Sequence, residues 1–236
     1  PGYSRFRPRY PDTVFDWLAG LAPSRERAWD AATGTGQAAH GLAPYFEEIV
    51  ATDASLDQIR HARAHPVIRF EVARSEYVPI ENASMDLVVV AQALHWFEFD
   101  AFYAEVRRVA RPGAVIAALS YGLFRINTEV DHIVDDLYHR ALAGFWPAER
   151  SHVDDEYARI PFPFTPTPSP GFVMEARWTL DHLLGYLGTW SAINRAREQT
   201  RADPLTEIEA ALRLVWGEPL VFRDVTWPLA VRAGRV

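Results

Sequence analysis

The sequence predicts an α/β fold: a doubly wound, mostly parallel sheet covered by helices. Three observations lead there. Apolar strands alternate with amphipathic helices from residue 28 to residue 122, the pattern of a parallel sheet covered by helices. "MDLVVVAQAL" is a continuous apolar run of strand length, as expected of a strand buried on both faces. "WDAATGTGQAAH", Trp29 to His40, joins the first strand to the next helix through a turn with two glycines, as in the nucleotide-binding half of such a sheet.

The elements follow in order. Val14, Phe15, Leu18 and Leu21 have helical spacing after Pro11. A short strand, residues 28–31, enters the glycine turn. Residues 37–46 read as a helix, shortened by Gly41 and Pro44. "EEIVATDAS" is a strand ending at Asp53, and Ser55 opens the helix "SLDQIRHARAH". "VIRFEVA" alternates as a strand. The buried strand "MDLVVVAQAL" precedes an amphipathic helix, "EFDAFYAEVRRVARPG", stopped by Pro112 and Gly113. "AVIAALSYG" is the next strand, and residues 124–145 form one further helix. "IPFPFTPTPSPGF" reads as an extended connection over the surface. "FVMEARWTL" and "LVFRDVTWPLAVRA" are strands, with helices between Asp181 and Val215.

Composition narrows the chemistry. The 236 residues are 49% apolar, enough for one domain with a large core. There is no cysteine, which excludes disulfides, thiolate zinc sites and cysteine nucleophiles in this chain. All 24 basic residues are arginine, so a Schiff-base lysine and a phosphate-loop lysine are excluded. The net charge of -7 argues against nonspecific nucleic-acid binding. The longest apolar run, Leu87 to Leu94, is too short to span a bilayer. With no leader-like opening, a cytoplasmic location is expected. His132, His139, His152 and His182 form no metal-ligand pattern, and Asp131, Asp135 and Asp136 share one helix, as an exposed face does; no metal is expected.

The glycine turn admits two readings. "GTGQAA" satisfies the G-x-G-x-x-A pattern of nicotinamide dinucleotide sites. The same residues fit an acid-x-A-x-G-x-G turn, with Asp30 at the strand end. Charge favours the second. A helix N-terminus attracts a pyrophosphate, and an acid just before the turn opposes one. S-adenosylmethionine carries no phosphate and presents an ammonium and a sulfonium, which Asp30 can orient directly or through neighbouring backbone and water.

The acid-x-A-x-G-x-G turn resembles the first motif of class I S-adenosylmethionine-dependent methyltransferases. "ARSEYVPIENASMDLVVVAQALHWFEFDAFYAEVRRVARPGAVIAAL" resembles that family's run from the third strand through the fifth. "YSRFRPRYP", "AQALHWF" and "YLGTWSA" resemble a subgroup of trans-aconitate methyltransferase-like, small-molecule enzymes. The resemblance implies a class I fold, a Rossmann-like, seven-stranded, mostly parallel sheet with an antiparallel hairpin at its C-terminal edge, and a single domain over residues 1–236. Residues 1–27 would be an N-terminal lid and helix, 28–122 the cofactor-binding core, and 123–236 the helices of the substrate pocket and the C-terminal strands. It implies methyl transfer to a small-molecule acceptor, at a carboxylate or hydroxyl oxygen. An NAD(P)-dependent oxidoreductase and a noncatalytic cofactor-binding protein are the alternatives.

The residues expected to act are these. Asp53, 17 residues after Gly36, is in range of ribose hydroxyls. Gly34 and Gly36 allow close approach of the methionine part, and Asp30 lies near its ammonium. Ala32 stands where the family has the turn's first glycine, and its methyl group is expected to require a negative φ. Ser75 and Glu76 match the adenine-contacting turn. Gln92 ends strand four and offers a carbonyl or side chain to the methionine amino group. Tyr3 is placed to cover the sulfonium by cation–π attraction, and Arg7 to reach a carboxylate. His95 is the candidate general base, with Trp96 beside it as a substrate contact.

Overall fold

The computed structural model describes residues 8–236. They fall into two compact units. One comprises residues 10–122, 151–173 and 228–236; the other is built mainly from 123–150 and 174–227. Tyr3 and Arg7 lie outside the described residues.

The first unit holds the sheet. Its strands are β1 (Arg27–Ala31), β2 (Glu48–Asp53), β3 (Ile68–Val72), β4 (Met85–Ala91), β5 (Ala110–Tyr121), β6 (Thr165–Thr167) and the end of β8 (Arg223–Arg235), in the order β3-β2-β1-β4-β5-β8-β6. β1 to β5 are mutually parallel. β8 runs antiparallel to β5, and β6 antiparallel to β8. β7 (Phe172–Trp178) also pairs with β8.

Alternation along the strands sets the two faces. Trp29, Ala31, Val50, Val88 and Val90 pack with Phe102, Val106 and Val109 of α4 (Phe99–Val109). Asp30 therefore points to the opposite face, where α1 (Asp12–Leu21) and α2 (Gln37–Leu42) lie. Burial on both faces explains why Met85 to Val90 are almost all apolar. The exception, Asp86, is fully buried. Its carboxylate accepts the Glu26 and Arg27 amides at 3.1 and 2.9 Å and faces the Arg111 guanidinium at 3.1 Å.

Gly41 has a role that the sequence reading assigned only to helix length. A Cβ built there falls inside the van der Waals radius of the Phe15 ring, so α2 meets α1 through this missing side chain. Helix propensity alone predicts that Gly41→Ala stabilises by about 1 kcal/mol. Overpacking against a buried ring costs about 1–3 kcal/mol and occasionally more. The expected result is a lower urea midpoint for Gly41→Ala and recovery in Phe15→Leu/Gly41→Ala; a raised midpoint in the single variant would refute the packing argument.

The proline-rich segment departs from the expected surface connection. Ile160 and Phe164 are buried, Thr165–Thr167 form the edge strand β6, and Tyr103 and Arg107 donate to the Pro161 and Pro163 carbonyls at 2.6 and 2.8 Å. Proline fits here because an edge strand has amides that need no partner. The antiparallel edge expected from sequence is thus present, with β6 supplied by this segment.

The second unit is helical: α5 (Thr128–Asp136), α7 (Leu180–Leu187), α8 (Ser191–Thr200) and α9 (Pro204–Trp216). The residues after α5, Leu137–Ala141, widen into a π turn. Its interior is aromatic, with Phe124, Trp178, Tyr186 and Trp227 in mutual edge or tilted contact. A short helix, α6 (Arg150–Asp154), precedes Tyr157. Among the described residues, no helix is long and apolar enough to cross a membrane.

Candidate cofactor site and its neighbours

The sheet brings the expected residues to one edge. Ala31 pairs with Thr52 and with Val90, so the carboxyl ends of β1, β2 and β4 lie side by side. In a doubly wound sheet this edge is where ligands bind. The Thr33 amide continues the ladder by donating to the Thr52 carbonyl at 2.8 Å.

Asp53 ends β2 and clamps the turn. One carboxylate oxygen accepts the Gly34 amide at 2.8 Å, and the other accepts the Ser55 amide at 2.8 Å. Its helix-capping role is only indirect: Ser55 is the N-cap of α3 (Leu56–His61) and accepts from the Gln58 amide. Asp53 remains partly exposed at the edge of the sheet.

Gly34 and Gly36 both have positive φ, +59° and +90°. A Cβ on Gly34 would meet only Gln58 Oε1, at 3.9 Å, so the backbone there faces open space. A Cβ on Gly36 would stand 2.8 Å from the Phe70 ring. The first glycine serves approach from outside, and the second serves packing.

Ala32 overturns the expected geometry. Its φ is +54°, not negative. The turn keeps the left-handed backbone that glycine normally supplies, and the methyl group bears the strain, at about 1–2 kcal/mol. Ala32→Gly removes that strain but adds about 0.5–1 kcal/mol of backbone entropy. Thermal unfolding is expected to move up by the equivalent of about 0–1.5 kcal/mol. A clear loss of stability would mean the methyl group is making contacts worth more than its strain.

Asp30 does not face the open side of the turn. It is fully buried, and one oxygen accepts the Thr33 hydroxyl at 2.5 Å and the Ala39 amide at 2.9 Å. Its other oxygen, Oδ1, has no hydrogen-bond partner among the described residues. Burial pushes its pKa up to about 7, opposed by those two hydrogen bonds and assisted by the charge of Asp53. These two bonds tie Asp30 to the turn and to the start of α2. Thr33, unremarked in the sequence, is its brace; a hydroxyl three residues after an acid was the available signal.

Gln92 closes β4 in the left-handed region, with φ +56°. Its side-chain amide donates to the Tyr121 carbonyl at 2.9 Å and accepts the Tyr121 amide at 3.2 Å. The side chain is thereby committed to β5, which leaves the backbone carbonyl as the group for a ligand. Ser75 is buried, and Glu76 accepts from Arg74 at 3.4 Å and from the Glu98 amide at 3.3 Å. The following segment is held by α4: Glu105 accepts the Val78 amide at 2.8 Å, and Arg108 donates to the Val78 and Ile80 carbonyls at 3.0 and 2.6 Å. Sequence reasoning missed this pair, whose spacing of three on one helix face was the only clue.

His95 lies in the 3₁₀ turn Leu94–Trp96 after β4. Its Nδ1 is 2.9 Å from the Tyr157 hydroxyl, and its ring packs 4.7 Å from the exposed Trp96. Trp178 and Trp190 are core, and Arg195 donates to the Phe145 carbonyl at 3.1 Å. No cluster of potential metal ligands occurs among the described residues.

A parallel sheet with an antiparallel last strand and a glycine turn braced by two carboxylates defines a Rossmann-like architecture. Comparison with known proteins narrows it. Residues 29–118 match the methyltransferase-domain family. A solved structure, assigned as a type II methyltransferase from Anaeromyxobacter dehalogenans, is 52% identical and covers 97% of each chain with a TM-score of 0.92. A Dictyostelium discoideum protein named as a methyltransferase is 30% identical over 89% of this chain and 81% of its own length. The malonyl-[acyl-carrier protein] O-methyltransferase of Hahella chejuensis is 40% identical over 36% of this chain and 32% of its own length. The chain belongs to the class I S-adenosylmethionine-dependent methyltransferases.

Proposed function

We propose that this enzyme binds S-adenosylmethionine at the carboxyl edge of β1, β2 and β4 and transfers its methyl group to an oxygen of a small-molecule acceptor. The observation that carries the cofactor assignment is the shared turn: Asp53 beside the open backbone of Gly34, both in hydrogen-bond contact. In this reading Asp53 takes the ribose hydroxyls, Gly34 accommodates the methionine part while Gly36 lets the turn pack on Phe70, and the Gln92 carbonyl takes its ammonium. Ser75 and Glu76 border the adenine. Asp30 supports the turn from beneath. Tyr3 and Arg7 keep the roles expected of them, covering the sulfonium and reaching a carboxylate.

The bound cofactor supplies an electrophilic methyl carbon. The chain's task is then to hold an acceptor oxygen in line with it, and alignment alone can supply much of the rate. A small carboxylate is the favoured acceptor, because such an oxygen is already anionic and needs no base. Partial likeness to an O-methyltransferase of a malonyl group supports the same choice. His95 and Trp96 border the acceptor. A localisation in the cytoplasm fits the composition.

Label transfer from methyl-labelled S-adenosylmethionine to small acids, phenols and amines tests the proposal, with calorimetric titration of S-adenosylhomocysteine in parallel. Cofactor binding together with label in a carboxylic acid supports it. Label only in protein or nucleic acid would overturn the small-molecule assignment.

A further inference from the structure

We propose that Gln58 is a second polar contact for the cofactor's ribose: its side-chain amide stands beside the open backbone of Gly34 and donates to a ribose hydroxyl oxygen, while Asp53 accepts the hydroxyl protons. The proposal rests on the methyltransferase reading of this edge and adds a residue that tells a ribose from a deoxyribose.

A run of hydrogen bonds carries the position of Gln58 from the glycine turn. Asp53 accepts the Gly34 amide on one oxygen and the Ser55 amide on the other, both at 2.8 Å. The Ser55 hydroxyl then caps α3 by accepting the Gln58 backbone amide at 3.3 Å. That cap fixes where the helix starts, and so where the third residue after the cap stands. The Gln58 side chain returns to the beginning of the run. Its Oε1 is the one atom among the described residues that a Cβ built on Gly34 would meet, at 3.9 Å. A ligand group packed against Gly34 from outside therefore comes within contact distance of the Gln58 amide. Gln58 is partly exposed, and its side-chain amide makes no hydrogen bond among the described residues. A glutamine that only solvates a helix face needs no such approach to the turn.

Complementarity decides what this amide supplies. A carboxylate accepts hydrogen bonds and donates none, so Asp53 can meet the protons of a ribose diol but not its oxygens. Each hydroxyl oxygen also accepts, and the diol is fully matched only when a donor stands beside the carboxylate. The Gln58 NH2 carries two N–H donors, and a half-turn about the last side-chain bond exchanges it with Oε1 in the same space. Asp53 and Gln58 together then offer acceptor and donor on one side of the turn, each held by the same run of hydrogen bonds. A site built to bond a hydroxyl rejects the analogue that lacks it, because its own polar groups are left unpaired. A carboxylate alone binds the diol; the added donor makes its oxygens count as well.

Calorimetric titration of S-adenosylhomocysteine and of its 2′-deoxy and 3′-deoxy forms into the parent, Gln58→Leu and Gln58→Glu reads this contact without catalysis. Gln58→Leu keeps most of the bulk and removes the amide. It is expected to bind S-adenosylhomocysteine about three- to tenfold more weakly, the range of one net hydrogen bond, and to melt with the parent. For one of the two deoxy forms the loss is expected to shrink below about twofold, since the hydroxyl that Gln58 would meet is already gone. Gln58→Glu keeps an acceptor but has no donor, and is expected to bind no better than Gln58→Leu. Affinity within about twofold of the parent in Gln58→Leu, an equal loss for all the ligands, or full affinity in Gln58→Glu would overturn the proposal. A parent that binds no S-adenosylhomocysteine would instead overturn the cofactor assignment, and the proposal with it.

Discussion

Replacing Asp53 by alanine is expected to weaken S-adenosylhomocysteine binding by about 10²- to 10⁴-fold, since each hydrogen bond from a ribose hydroxyl to a carboxylate is worth about 1.5–3 kcal/mol. The same substitution frees the Gly34 and Ser55 amides, so part of the loss comes from a looser turn. Asp53→Asn grades the two effects. It keeps one acceptor oxygen and so only one of the Gly34 and Ser55 bonds, and should fall between the parent and alanine both in affinity and in melting temperature. Calorimetry gives the affinity and thermal unfolding gives the turn. Should Asp53→Ala bind within about threefold of the parent, Asp53 is a brace and the ribose assignment fails.

Asp30 makes the second large effect a dependence on pH. Its pKa in the folded protein is pushed up to about 7 from an ordinary value of 3.8, chiefly by burial. Below about pH 4 both folded and unfolded chains hold this proton, and it contributes no slope. From there to about pH 7 the folded chain keeps the proton that the unfolded chain releases, so stability falls as pH rises. Above about 7 both are ionised and the slope vanishes. The whole swing is at most about 4 kcal/mol, from roughly three pKa units at 1.36 kcal/mol each. Asp30→Asn has no proton to lose, and with its amide oxygen in the place of Oδ2 it keeps both the Thr33 and Ala39 donors. Urea unfolding at pH 5 and pH 8 should therefore show the parent losing stability relative to Asp30→Asn as pH rises. Parallel profiles for the two proteins would show that Asp30 is ionised throughout.

Much of the site was legible because its determinants are local. An acid at a strand end, two glycines and a second acid on the next strand occupy a stretch of 24 residues, from Asp30 to Asp53. Alternating strands and helices then dictate that these residues share one edge. One reading gained a geometry and another failed. Asp30 was expected to act directly or through neighbouring backbone and water, and strand alternation turns its carboxyl to the α2 face, where Ala39 and Thr33 donate to it. Ala32 was expected to avoid positive φ for steric reasons, yet the ladder from Thr33 to Thr52 and the clamp from Asp53 to Gly34 enforce it.

The sequence by itself determined the class of fold, the strand order's parallel half and the position of the cofactor turn, because periodicity and turn chemistry act over a few residues. Tertiary structure alone decided what lies far apart in the chain. It joined Tyr157 to His95 across 62 residues and Arg232 to the same tyrosine across 75. It also moved the proline-rich segment from the surface to the sheet edge, where its aromatics had a core to fill. Such contacts depend on which faces the packed sheet leaves uncovered, and no local pattern encodes that.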